Sequence, residues 1–192
     1  SGLIILSAMF IFPLLGATTE QKPAVSAATK LFTSKTDKQE KGDTFRICDM
    51  QTDTVSVLTA DEYIFGVVAA EMPALYPAEA LKAQAIAART YICYRAAHPV
   101  SAHEAAVLCD NPAHCCALAD LNALAAGWGE QGQTYADRIR NAVADTSGQI
   151  LTYAGEPILA VFHAMSGRTT NSSADVWGGE VPYLVSVDAP AG

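Results

Sequence analysis

A chain of 192 residues, 51% hydrophobic and 17% charged, has room for one buried core. Its formal charge of −8 is unevenly spread: Ser1 to Asp43 holds five Lys and four acids, which leaves seven basic and sixteen acidic residues, net −9, from Thr44 onward. A domain that acidic repels a phosphate backbone, so nucleic acid is excluded as a partner.

Leu3 to Ala17, LIILSAMFIFPLLGA, is an apolar run a little short of the roughly 20 residues that span a bilayer. No initiator Met precedes it, and Leu15-Gly16-Ala17 is a poor cleavage site. It reads as an uncleaved membrane anchor that starts further upstream rather than as a removed signal peptide. Residues 18–43 are polar, lysine-rich and nearly without aromatics, the composition of a flexible linker. The expected order is therefore an anchor over 1–17, a linker over 18–43 and a folded domain over 44–192 that works outside the membrane.

Phe45-Arg-Ile-Cys48 and Val55-Ser-Val-Leu58 are short β-branched runs that predict a hairpin, with Cys48 in the core. Thr59 and Glu62 then have capping-box spacing, so a helix starts at Thr59; Tyr63, Val67 and Ala70 recur at helical spacing, and Pro73 ends the segment near Met72. Glu71 is thereby placed at a helix end among Val67, Val68, Ala70, Met72 and Pro73. Desolvation there disfavours the charged form and raises the pKa, as a proton donor at neutral pH requires. A second helix opens with Pro77 at its first position and runs to about Arg95, with Leu81, Ala85, Ala88 and Ile92 as its apolar stripe. Its many alanines allow close approach to a neighbour, which would bring Arg89 near Glu71. From residue types alone the pair reads first as a surface carboxylate and a solvated helix charge.

The stretch from His98 to Gly127 is expected to be irregular. His103, Cys109, His114 and Cys115 form H-x5-C-x4-H-C, two imidazoles and two thiolates suited to a closed tetrahedral zinc site; a disulfide among Cys109, Cys115 and Cys116 is the alternative. Thr134 to Asp137 caps a third helix carrying Ile139 and Val143. Ile150 to Tyr153 and Pro157 to Phe162 flank Ala-Gly-Glu as a hairpin, and the second strand delivers the polar cluster His163, Ser166 and Thr169. A Ser-His hydrolase lacks an orienting carboxylate and a G-x-S-x-G turn here. Trp177 is read as core, with a sugar-stacking platform as the alternative.

The run DEYIFGVVAAEMPALYPAEALKAQAIAARTY resembles the signature of the SpoIID/LytB domain family, and TYAGEPILAVFHAMSGRTTNSSADVWGGEVPYLVSV is similar to its FH-x-x-SGG-x-T…VWG…PYL segment. Together the matches cover about residues 55 to 189 in family order. The resemblance implies a peptidoglycan lytic transglycosylase, with Glu71 as the catalytic glutamate, Arg89 as a cleft arginine, and His163, Ser166 and Thr169 as polar cleft positions. It also implies a structural zinc on His103, Cys109, His114 and Cys115. Two residues depart from the pattern: Cys116 stands where glutamine is common, and Arg168 replaces a glycine.

The fold expected is α+β, small antiparallel sheets with helices packed to one side, and the family pattern implies a domain that continues past residue 192. One carboxylate suffices for lytic cleavage, because no attacking water is needed; a hydrolase would want a second carboxylate, and Asp61, Glu79 and Asp175 are not singled out. What the resemblance further implies is a substrate of peptide-stripped glycan strands, cleaved between MurNAc and GlcNAc to anhydromuramic ends. It also implies a sporulation amidase and a membrane protein of the engulfment machinery as partners, and a location between forespore and mother cell. The other side of the family implies a non-catalytic wall-glycan binder that modifies an autolysin or amidase. A zinc peptidase is disfavoured, since four protein ligands leave no open metal position.

Overall fold

The computed structural model describes residues 32–35, 44–103 and 106–189. The expected anchor over residues 1–17 and most of the expected linker lie outside the described residues; among those described, no helix is long and apolar enough to cross a membrane. Within the stretch expected as a tether, Phe32–Lys35 forms strand β1, so the domain recruits at least four residues from that segment.

The expected hairpin is present as β2 (Thr44–Asp49) and β3 (Thr54–Thr59), antiparallel with Thr44 opposite Thr59 and Asp49 opposite Thr54. Asp49 makes the turn: its Oδ1 accepts the backbone N–H groups of Gln51 and Thr52 at 2.8 and 3.0 Å. Cys48 is buried as expected. Helix α1 (Ala60–Glu71) follows with both arms of the capping box formed, Glu62 N–H to Thr59 Oγ1 and Thr59 N–H to Glu62 Oε2. That box satisfies two otherwise orphaned donors, a gain of about 1 kcal/mol.

The chain reverses over residues 72–77 into α2 (Ala78–Ala97), with Pro77 as N-cap, one position earlier than predicted. Two short pieces follow, a 3₁₀ turn at Ser101–His103 and β4 (Leu108–Cys109). β4 pairs parallel with β2, so this sheet, in the order β3-β2-β4, is mixed rather than purely antiparallel. The region expected to be irregular also contains α3 (Leu121–Trp128), whose first turn is fastened by Asp120 Oδ1 accepting the Ala123 N–H at 3.1 Å. The next helix, α4 (Gly132–Asp145), starts two residues before the expected cap.

β5 (Gln149–Tyr153) and β6 (Glu156–Pro157) join β1 in a second, antiparallel sheet ordered β1-β5-β6. Their loop is two residues, not three. Ala154 and Gly155 both take positive φ, 53° and 90°, and that reversal suits the twist of a tight hairpin. β6 stops at Pro157, and the run to Phe162 has no partner strand among the described residues, apart from Ile158 donating to the Leu151 carbonyl; Val161 donates to the Leu159 carbonyl in a tight turn. The last helix is the short α5 (Ser173–Trp177). Trp177, expected in the core, is 60% exposed.

The core lies between α1, α2 and α4, built from Ile64, Val67, Val68, Leu81, Ile92, Ile139 and Val143, all buried. Ala85 and Ala88, fully buried on α2, let α1 and α4 pack close against it. Thr90 then ties α2 to the second sheet: its hydroxyl accepts the Leu151 N–H at 2.9 Å and donates to the Ile86 carbonyl at 2.7 Å. The fold is α+β, with two small sheets and packed helices.

Candidate functional site

α1 ends on Glu71 because Pro73 blocks its continuation, with Met72 still donating to the Val68 carbonyl at 3.0 Å. The carboxylate is half-buried at the negative end of the helix dipole. Burial raises its pKa, and the Ala117 N–H, which donates to Oε1 at 3.3 Å, partly opposes that shift by favouring the anion. The raised pKa predicted from its apolar neighbours is therefore present, with one backbone donor added.

Ala117 belongs to a loop, residues 110–120, that lies along α1. Ala119 donates to the Gly66 carbonyl at 3.2 Å, and a Cβ on Gly66 would come within 2.6 Å of Leu118 Cδ1. A side chain at this position would press on the end of the Leu118 side chain, while the loop backbone at the Ala119 carbonyl stays at an ordinary 3.6 Å. Two residues before Ala117, Cys115 Sγ lies 3.4 Å from His103 Nε2. His103, Cys109 and Cys115 are all buried, and one ligand atom from each lies within 4.8 Å of the others. His103 Nδ1 is 3.1 Å from the Ala106 carbonyl. A carbonyl only accepts, so Nδ1 carries the proton and Nε2 turns its lone pair toward the two sulfurs.

These three residues fit a thiophilic metal such as zinc in donor type, convergence and burial. His114, the fourth expected ligand, is not in the group: its side chain is exposed, while its carbonyl accepts from Tyr91 Oη at 3.1 Å. Cys109, Cys115 and Cys116 are not joined to one another, so the alternative disulfide is not formed. Cys116 is outside the metal group; its buried thiol lies beside the Tyr63 hydroxyl, and burial pushes it up to about 12. Tyr63 is fully buried, and burial raises its hydroxyl well above the ordinary tyrosine value.

Arg89 does not join Glu71. It is 1% exposed, and its guanidinium donates to the carbonyls of Thr146 and Val143 at 2.9 and 3.1 Å, with Asp61 Oδ1 3.8 Å away. α1 and α2 are an antiparallel pair, so residues far from the turn on one helix meet residues far from it on the other. Asp61 is ten residues before Glu71 on α1, about 15 Å along the axis. Arg89 thus braces the C-terminal end of α4 at the opposite end of the helix pair, where a cation favours orphan carbonyls.

His163, Ser166 and Thr169 are exposed on the irregular segment after β6. Thr169 bridges antiparallel to Asp188. Among the described residues no hydrogen bond or ion pair connects the three with Glu71. Arg168 is not among the residues with positive φ, so its replacement of a glycine costs no backbone strain.

Sequence reading took Tyr63 only as a position of the helical pattern and did not single out Ala117 or Arg138. Tyr63, Val67 and Glu71 are spaced by four and share one helix face, which was a usable signal for Tyr63. Ala117 acts through its backbone and leaves no trace in residue type. Arg138 donates from Nε to the Ala74 carbonyl and from Nη2 to the Tyr76 carbonyl, both at 2.8 Å, and so fastens the turn that follows Glu71 to α4.

The assembly is an α+β domain that presents one half-buried carboxylate beside a His/Cys loop. Comparison with known proteins places it further: the SpoIID family model, described as Stage II sporulation protein, matches residues 48–153, and the chain belongs to this family. It is 41% identical over 139 residues to Stage II sporulation protein D of Bacillus subtilis (strain 168), covering 71% of this chain and 40% of that protein. Against Stage II sporulation protein D of Bacillus amyloliquefaciens it is 38% identical over 138 residues, with the same coverage. The Amidase enhancer of Bacillus subtilis (strain 168) is 33% identical over 121 residues, 63% of this chain and 14% of that protein. The chain thus spans about 40% of the length of the sporulation relatives it matches.

Proposed function

We propose that this domain cleaves wall glycan as a lytic transglycosylase, with Glu71 as the single acid and base. The observation that carries the reading is the half-buried carboxylate with a raised pKa at the end of α1, held by one backbone donor and with no cationic partner among the described residues. Protonated Glu71 gives its proton to the glycosidic oxygen as the C1–O bond of the muramoyl residue breaks. The carboxylate so formed, steadied by the Ala117 N–H, accepts the proton of the muramoyl C6 hydroxyl as that oxygen bonds to C1. Glu71 ends protonated again, and the product is a 1,6-anhydro ring.

His103, Cys109 and Cys115 would hold a zinc ion, and we propose the neighbouring His114 as its fourth ligand in a structural site. The ion would supply bracing for the loop that carries Ala117, and no chemistry on the glycan.

The sporulation relatives support a role on the cell wall during sporulation. We further propose that the domain works outside the cytoplasm, anchored through residues 1–17, with an amidase and a membrane protein of the engulfment machinery as partners. A second reading, a wall-glycan binder that stimulates an amidase without cutting, is favoured by the likeness to an Amidase enhancer. Digestion of peptide-free glycan strands separates the two. Mass spectrometry should find anhydromuramic ends with wild type and none with Glu71→Gln; intact strands from wild type, with stimulation of an added amidase, would favour the second reading.

A further inference from the structure

The turn between α1 and α2, Pro73-Ala74-Leu75-Tyr76-Pro77, combines two features that rarely go together. Leu75 and Tyr76 are 66% and 48% exposed, yet the backbone that displays them is held at several points. Ala74 is buried, Tyr76 donates its N–H to the Pro73 carbonyl at 3.0 Å, and Arg138 clasps the carbonyls of Ala74 and Tyr76 at 2.8 Å each. Prolines at both ends restrict the chain further. The Tyr76 hydroxyl has no hydrogen bond among the described residues. A mobile loop that exposes a leucine and a tyrosine needs no explanation; a fastened one that forgoes their burial does.

The position of the turn supplies one, because it begins two residues after Glu71 and closes within one β-turn, so Tyr76 stays beside the end of α1. We infer that Leu75 and Tyr76 form a fixed apolar lip on which an N-acetylated sugar ring stacks, next to the bond that Glu71 protonates, with Arg138 as its positioning residue. This rests on the reading of the site as glycan-cleaving. The chemistry fits: a pyranose offers an apolar C–H face to an aromatic ring and hydroxyls to its polar tip. Charge points the same way. From Thr44 onward the chain carries seven basic against sixteen acidic residues, so a glycan bearing lactyl carboxylates gains no long-range attraction and affinity must come from contact.

The test uses the full chain carrying Glu71→Gln, so that strands are bound but not cut, and titrates peptide-free glycan strands by calorimetry. Adding Tyr76→Ala should weaken binding about tenfold, whereas Tyr76→Trp should restore it, and the melting temperature should move little because the side chain is half exposed. Arg138→Met, which removes both donors without touching the lip, should weaken binding to a similar degree. In the active protein, Tyr76→Ala should raise KM with kcat largely kept. Unchanged glycan affinity in both Tyr76→Ala and Arg138→Met overturns the inference, as does a Tyr76→Ala protein that binds glycan normally but no longer stimulates an amidase, which would make the lip a protein-docking feature. Because binding is read on the uncleaving variant, a wild type that fails to cut would refute the enzymatic reading while leaving the lip testable.

Discussion

The Ala117 N–H lies 3.3 Å from Glu71 Oε1 only two residues after Cys115, whose Sγ lies 3.4 Å from His103 Nε2. One short strip of backbone therefore links the candidate metal group to the candidate acid. Loss of order in the first is transmitted to the second without any side chain between them.

Metal content is the first consequence. The full chain should bind about one equivalent of zinc, and Cys109→Ser or Cys115→Ser should abolish it. His114→Ala should retain weaker binding, by roughly 10–100-fold, as expected for a ligand outside the preformed group. Chelation should lower the melting temperature by about 5 °C or more. Elemental analysis and thermal melts read these outcomes; a chain that folds equally well with and without chelator contradicts them.

The pH dependence follows from Glu71. Its folded pKa is raised from the ordinary 4.5, by burial first, so the native state holds this proton more tightly than the unfolded chain does. The associated stability is complete below 4.5 and is lost as pH rises through the folded value. Two results are expected. Cleavage falls on the alkaline side as the acid form is depleted, and Glu71→Gln, which cannot ionise, melts at most a few degrees higher than wild type at pH 7.5. A variant that melts lower at that pH would mean the carboxylate is a structural support.

Arg89 gives the opposite pattern. Its buried guanidinium holds the Val143 and Thr146 carbonyls, so Arg89→Met should cost about 3–5 kcal/mol in denaturant unfolding. Because it sits at the far end of α1 from Glu71, the pH profile of the folded fraction should not move. A shifted alkaline limb with normal stability would return Arg89 to the cleft.

How far these features were legible differs by residue. The cap at Thr59, the end of α1 near Met72 and the raised pKa of Glu71 depend on neighbours within one or two turns, and sequence spacing carries that information. The placement of Arg89 depends on how α1 and α2 are paired: alanine content indicates close packing but not which ends meet, and an antiparallel hairpin sends residues 71 and 89 apart. α3 was hidden inside a stretch dominated by its His and Cys, although Asp120 was a readable cap. Gly66 stood unremarked within a helical pattern, where a glycine placed despite its cost to the helix points to a packing reason. The Ala117 contact is a main-chain donor and could be found only in three dimensions.

The central claim, that one carboxylate closes a ring without water, is tested most directly by digesting peptide-free glycan strands in H2¹⁸O with the full chain. Ring closure predicts anhydromuramic products with no ¹⁸O at the cleaved end, and no products at all from Glu71→Gln. Incorporation of one ¹⁸O per broken bond, giving ordinary reducing ends, would mean that water is the nucleophile and that a second group, not Glu71 alone, activates it.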